Sequence, residues 1–201
     1  ADAAAANRFH AGGFQGFAAE AGDDSPRDLC GEVVGVGEGD GVFDVVCALD
    51  IVEHVDDLMA LMGEIWRICK PGALVYLRFP HGTSKYVTWK DPTHKRGVFL
   101  GTFEYFDPNT FDGAFWGYYH PARFETVKRR INFNMNADTW QPKRGRRILG
   151  SIFDRIANRN ERWQYYCERF WGHWVGMEEG HLWLRALKPE PASADEQKGT
   201  A

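Results

Sequence analysis

No stretch of this sequence approaches the roughly 20 consecutive apolar residues that a membrane-spanning helix needs. The first residues also lack the basic start and long apolar run of a secretory signal. Cysteine is sparse: Cys30, Cys47, Cys69 and Cys167 are the only four in 201 residues, and none forms a C-x-x-C pair. That spacing offers neither a disulfide framework nor a thiolate metal site, so reduced thiols in a cytoplasmic protein are expected. Positive charge is not in excess either. A formal net charge of −4 gives no global attraction to nucleic acid or to an anionic membrane. Lys128, Arg129, Arg130, Lys143, Arg144, Arg146 and Arg147 do make a local basic stretch. Solvated side chains at a strand edge and a helix start explain it about as well as a phosphate-binding surface. Neither a nucleic-acid nor a membrane partner is expected, and the oligomeric state is not legible. Internal repeats are absent as well.

What is present is enough apolar residue, 44% of the chain, to bury one substantial core. The run Phe43 to Leu49 is short, apolar and β-branched, the pattern of a strand covered on both faces of a parallel sheet. Leu58, Leu61, Met62, Ile65 and Cys69 then recur at helical spacing, with Asp56 and Asp57 at the favourable end of the dipole and Lys70-Pro71-Gly72 as the stop. A second buried-strand run, Ala73 to Phe79, follows, so strand, helix and strand predict a crossover unit and an α/β fold. Beyond it the spacing predicts a long loop through Lys95, a short helical stretch at Thr102 to Phe106 and a strand from Phe124 to Phe133. A helical stripe on Ile148, Ile152, Phe153 and Ile156, a helix from Glu161 to Trp171 and a last strand from His181 to Leu187 complete the pattern. Residues 189–201 have the composition of a disordered tail.

Taken in order, Phe43-Asp44-Val45-Val46, Leu49 to Val55 with its Glu53-His54 pair, Leu61 to Arg67 and Lys70-Pro71-Gly72 resemble the fourth strand, following helix and fifth strand of class I S-adenosylmethionine-dependent methyltransferases of the type 11 group. The resemblance implies a Rossmann-like sheet. Phe17 to Asp23 would be the third strand, and the strands at Phe124 and His181 the closing antiparallel pair. Residues 1–188 would be a partial methyltransferase domain, its core at 1–133 and 181–188 with a helical insertion at about 143–176. The departure is at the front, where such proteins carry two strands and a G-x-G-x-G loop before the helix that Ala3 to His10 would form. The chain therefore reads as one that begins in mid-domain. Gly35 to Gly41 contains G-x-G-x-G but runs straight into a strand, whereas a cofactor-cradling loop must open a helix. A flexible connector is the better reading.

The resemblance also implies S-adenosyl-L-methionine as cofactor, with Ala48, Leu49, Asp50 and His54 at its cleft and Asp23 or Asp24 near the adenine. An Asx turn is an equal account of Asp23. Asp50, Glu53 and His54 are similar to the E-x-x-E-H that holds a divalent ion in some O-methyltransferases, but Glu53-His54 is common in relatives without one, and no metal ligand is expected. Methyl transfer needs alignment above all, with a base if the acceptor is a hydroxyl. His94, within Asp91-Pro92-Thr93-His94, and His81, at the end of the second predicted strand, are the candidate catalytic bases; backbone-bonded loop histidines are an equal reading. The aromatic residues from Phe103 to Tyr119 and from Trp163 to Trp174 are expected mostly in the core. The implied activity is methyl transfer to a small molecule or glycan, at oxygen. A non-catalytic methyltransferase-like binding subunit and an RNA methyltransferase are the alternatives. A sheet lacking its first strands would expose an edge and favour self-association.

Overall fold

The computed structural model describes residues 39–133 and 144–189, with side chains from 148 onward in the second stretch. Four strands form one sheet: β1 (Phe43–Leu49), β2 (Cys69–Pro80), β3 (Phe124–Asn132) and β4 (Glu179–Ala186), in the order β1-β2-β4-β3. β1 and β2 run parallel, and β4 lies antiparallel between β2 and β3. The α/β fold and the closing antiparallel pair stand as the residues implied. Among the described residues β1 has no neighbour on its outer side. The third-strand expectation on Phe17 to Asp23, the preceding helix at Ala3 to His10 and the tail beyond 189 lie outside the described residues.

Helix α1 (Leu58–Ile68) joins the two parallel strands. Asp57 caps it by accepting from the Ala60 amide at 2.9 Å, and Leu58, Met62, Ile65 and Ile68 form its buried face. At the other end Lys188 Nζ donates to the Arg67 and Cys69 carbonyls at 2.8 and 2.6 Å and lies over the Trp66 ring, while Trp66 Nε1 donates to the Leu187 carbonyl at 3.0 Å. A cation on open carbonyls is the favourable arrangement for a helix C-terminus. The helix stop works differently from the expectation. Cys69 already pairs with Phe43, and the register then jumps to Val45 opposite Leu74, so Lys70-Pro71-Gly72 forms a bulge within β2, with Gly72 at φ +76°.

One face of β2, through Ala73, Val75, Leu77 and Phe79, packs with Val46, Ala48, α1 and the core residues Phe103, Phe106, Phe124, Leu182 and Leu184. Tyr76 on the opposite face meets a buried polar group: its hydroxyl lies 2.7 Å from His181 Nδ1, and His181 Nε2 lies 2.9 Å from Asn132 and 3.0 Å from Glu179. The predicted long loop contains α2 (Lys85–Lys90), followed by a 3-10 turn at Leu100–Phe106 and α3 (Phe111–Trp116). The helix expected over Glu161 to Trp171 is α5 (Glu161–Tyr166) continued by one π turn, Cys167–Trp171, and by α6 (Gly172–Val175); α4 (Arg144–Ala157) precedes it. Many aromatic residues expected in the core are on the surface instead, Phe111, Phe115, Tyr118, Tyr119 and Trp174 among them, because helices this short bury only one narrow side.

Cysteine usage needs one correction. Cys69 and Cys167 are free and buried as expected, but Cys47 is disulfide-bonded, its partner outside the described residues. Sequence spacing is blind to pairs that the fold brings together. Burial pushes the Cys69 thiol up to about 11 and the Cys167 thiol up to about 12. Neither holds an appreciable thiolate fraction at neutral pH, so labelling by a maleimide at pH 7 is expected to leave both unmodified in the folded chain and to modify both in denaturant. Rapid labelling of either in the folded chain would contradict the buried positions.

Candidate functional site

The carboxyl ends of β1 and β2 lie side by side, since Leu49 pairs with Arg78. β1 stops at Asp50, which adopts φ +53°, the one positive-φ non-glycine residue among those described. Its amide donates to the Arg78 carbonyl at 2.8 Å and its carboxylate pairs with the Arg78 guanidinium. This ion pair anchors the turn out of β1, and it commits the Asp50 carboxylate that was expected to face cofactor. Ala48 belongs to the core and can offer only its backbone to a cleft, while Leu49 is partly open to solvent. Asp23 and Asp24 lie outside the described residues.

Within the turn after β1, Val52 and Val55 pack into the core and carry Glu53 inward with them. Glu53 is 1% exposed, and neither carboxylate oxygen has a hydrogen-bond donor. Burial, with Asp50 and Asp91 adding to it against its own backbone amide and Arg78, raises its carboxyl to about 7. The loop at 91–96 closes over this turn. Lys95 donates its amide to the Glu53 carbonyl at 2.7 Å, and Arg96 donates to the Val55 and Asp56 carbonyls at 2.6 and 2.7 Å. His94 is thereby set beside His54, with ring centroids 4.6 Å apart and planes at 73°. Glu53 Oε1 lies 3.7 Å from His54 Nε2 and 3.9 Å from His94 Nε2.

The partners of the two rings fix their tautomers. His94 Nδ1 lies 2.6 Å from the Thr88 carbonyl, which only accepts, so Nδ1 carries a proton and in the neutral ring Nε2 has the lone pair. Thr93 holds its amide and its hydroxyl on Asp91 Oδ1, at 2.8 and 2.6 Å, and those bonds keep the Asp91 carboxyl below its ordinary range. With its only proton donated to Asp91, the Thr93 hydroxyl must accept from His54 Nδ1 at 3.0 Å. In the neutral His54 ring Nε2 then has the lone pair as well. Asp91 thus orients His54 through Thr93, and Trp89 is exposed. Glu53, a full partner here, was not separable by sequence from the many Glu-His pairs that only line a pocket.

His81 is placed differently from the expectation of a base facing the cleft. It is fully buried, with Nδ1 2.9 Å from Thr83 Oγ1 and Nε2 donating to Glu168 Oε1 at 3.0 Å. Glu168 also accepts from the Leu100 amide at 2.5 Å. Both ring nitrogens are engaged, so His81 ties the end of β2 to the π turn and has no atom left for an acceptor.

Residues 15–77 match the family model described as a methyltransferase domain. The match spans 63 of the 201 residues, and over that stretch the chain is similar to methyltransferase domains. The match takes in β1, α1 and most of β2, the elements that build the turn holding Glu53 and His54. Solved structures similar to the chain include a SAM-dependent methyltransferase from Archaeoglobus fulgidus, at 18% identity over 73% of this chain and 60% of that one, TM-score 0.41. Another is a putative sarcosine dimethylglycine methyltransferase from Galdieria sulphuraria, at 14% identity over 75% and 55%, TM-score 0.41. A third is a Haemonchus contortus phosphoethanolamine N-methyltransferase in complex with phosphomonomethylethanolamine and S-adenosylhomocysteine, at 17% identity over 76% and 35%, TM-score 0.36. The chain spans 55 to 60% of the length of the first two. Among the described residues no helix is long and apolar enough to cross a membrane.

Replacing Glu168 by alanine leaves a buried imidazole nitrogen and the Leu100 amide without acceptors, a loss on the order of 1–3 kcal/mol. Urea unfolding of Glu168→Ala is expected to show a lowered midpoint, and an unchanged midpoint would deny His81 its cross-linking part.

Proposed function

We propose that the chain transfers a methyl group from S-adenosylmethionine to a hydroxyl of a small molecule or glycan. The observation that carries the reading is the group of Glu53, His54 and His94 just beyond the carboxyl end of β1, where two imidazole lone pairs converge on a buried carboxylate. In open α/β sheets a ligand is held outside the carboxyl ends of the strands, and β1 and β2 end together at this group. The methyl carbon leaves the sulfonium sulfur and bonds to the acceptor oxygen, and the sulfur keeps the electron pair of the broken bond. The acceptor's proton must go elsewhere, and an imidazole lone pair oriented by Thr88 or Thr93 suits that need. Leu49, Asp50 and His54, with Asp23 or Asp24, are the positions we assign to the cofactor cleft, and His94 is the base.

The described part of the basic stretch, Lys128 to Arg130, does not favour the RNA-methyltransferase alternative. Arg129 is paired with Glu104 at 2.7 Å, Arg130 donates to Asn132, and Lys128 lies over the Trp183 ring. A non-catalytic binding subunit is favoured by one feature, the exposed aromatic surface of α3 and the turn after it, Phe111, Phe115, Tyr118 and Tyr119.

Calorimetric titration with S-adenosylhomocysteine tests the reading directly, and saturable binding is expected. With labelled S-adenosylmethionine and a panel of hydroxylated acceptors, His94→Gln is expected to lower turnover by roughly 10²–10⁴-fold without loss of cofactor binding. Failure of the folded chain to bind S-adenosylhomocysteine would sink the catalytic reading and leave the binding subunit.

A further inference from the structure

Glu53 is anomalous by the ordinary rules of burial. A carboxylate removed from water is stabilised by donors or neutralised by a cation, and both of its oxygens have no donor. The two Nε2 atoms lie 3.7 and 3.9 Å from Oε1, too far to hydrogen-bond, and in the neutral rings they have no proton to give. With Glu53 ionised and both rings neutral, three electron-pair donors face one another across one gap. We infer that Glu53, His54 and His94 bind a divalent transition-metal ion.

The dimensions agree. One donor atom from each of the three residues lies within 4.8 Å of the other two. Zinc-type ions bond nitrogen and oxygen at about 2.0–2.2 Å, which sets ligand atoms about 3.5 Å apart in a tetrahedral site. A contraction of a few tenths of an ångström on the two measured edges therefore closes the site. Each imidazole already has the outer partner that metal-ligating histidines show, the Thr88 carbonyl for His94 and the Asp91-bound Thr93 hydroxyl for His54. Asp50 takes no part, because its carboxylate is held by Arg78.

The donor set also selects the ion. Two imidazoles and one carboxylate suit zinc, cobalt, manganese or iron, whereas magnesium prefers oxygen ligands and keeps much of its water. Three protein ligands leave positions open. On the methyl-transfer reading, on which this use of the ion rests, an acceptor hydroxyl takes an open position, loses its proton to solvent water and keeps the electron pair for attack on the methyl carbon. His94 is then a ligand rather than the base. The binding site itself does not depend on that reading.

The test is titration of the chelator-treated chain with cobalt(II) chloride alone, followed by visible absorbance and calorimetry. One equivalent is expected to bind with the ligand-field bands of a low-coordinate imidazole site, zinc is expected to displace it, and magnesium is not. Glu53→Gln and His94→Ala should weaken cobalt binding at least about tenfold, as should Thr93→Val, which removes the hydroxyl that links the His54 ring to Asp91. Circular dichroism of each variant separates lost binding from lost folding. Absence of one-to-one binding by the chain, or undiminished binding by folded Thr93→Val and His94→Ala together, overturns the site. Titration with S-adenosylhomocysteine in parallel keeps the two proposals apart. Cofactor binding without cobalt binding removes the ion alone, and the converse removes the methyl-transfer reading alone.

Discussion

A carboxylate in the interior ordinarily has a hydrogen-bonded partner, and the turn after β1 is built around one whose two oxygens have none. Val52 and Val55 bury the turn, and Glu53 goes with them. The loop from Asp91 to Arg96 gains its position from the same place, through the backbone bond of Lys95 to Glu53 and the bonds of Arg96 to the two residues after His54. Two histidines 40 positions apart in the chain thus come to share one wall. Each is held by an oxygen that leaves its second nitrogen facing the carboxylate.

The rest of the sheet supports this corner from behind. Arg78 reaches from β2 to Asp50 and lies 3.7 Å from Glu179 on β4, while Glu179 bonds His181, itself tied to Tyr76 and Asn132. Three strands, β2, β3 and β4, thus contribute to one connected polar face, and the left-handed backbone at Asp50, just past β1, sits at its end. Buried networks of this kind are costly when incomplete. A change at Asn132 or Tyr76 therefore bears on the cluster even though neither residue touches it.

Much of the fold is legible in the sequence because it is periodic. The β-branched run at Phe43, the helical spacing from Leu58 to Ile65 and the alternation at His181 each fix one element, and their order gives the parallel pair and the antiparallel return. What is not periodic is not legible. Lys70-Pro71-Gly72 has the composition of a turn and serves as a bulge, since nothing local says that Cys69 already has a partner in Phe43. The site is read in the same uneven way. His54 and His94 each stand out as single residues, but their meeting depends on a loop path that backbone bonds decide. His81, equally prominent in the sequence, ends with both nitrogens occupied.

The π turn at Cys167–Trp171 has a meaning of its own. Such a turn is an α-helix with one residue too many, and the surplus residue rotates the segment before it by about 100° against the segment after it. Glu168 lies within the turn, where its carboxylate meets both the His81 imidazole and the amide that opens the 3-10 turn at Leu100. Removing the surplus would turn the carboxylate away from both. The irregular winding of one short helix is thus what lets an added helical layer lock onto the working end of the sheet.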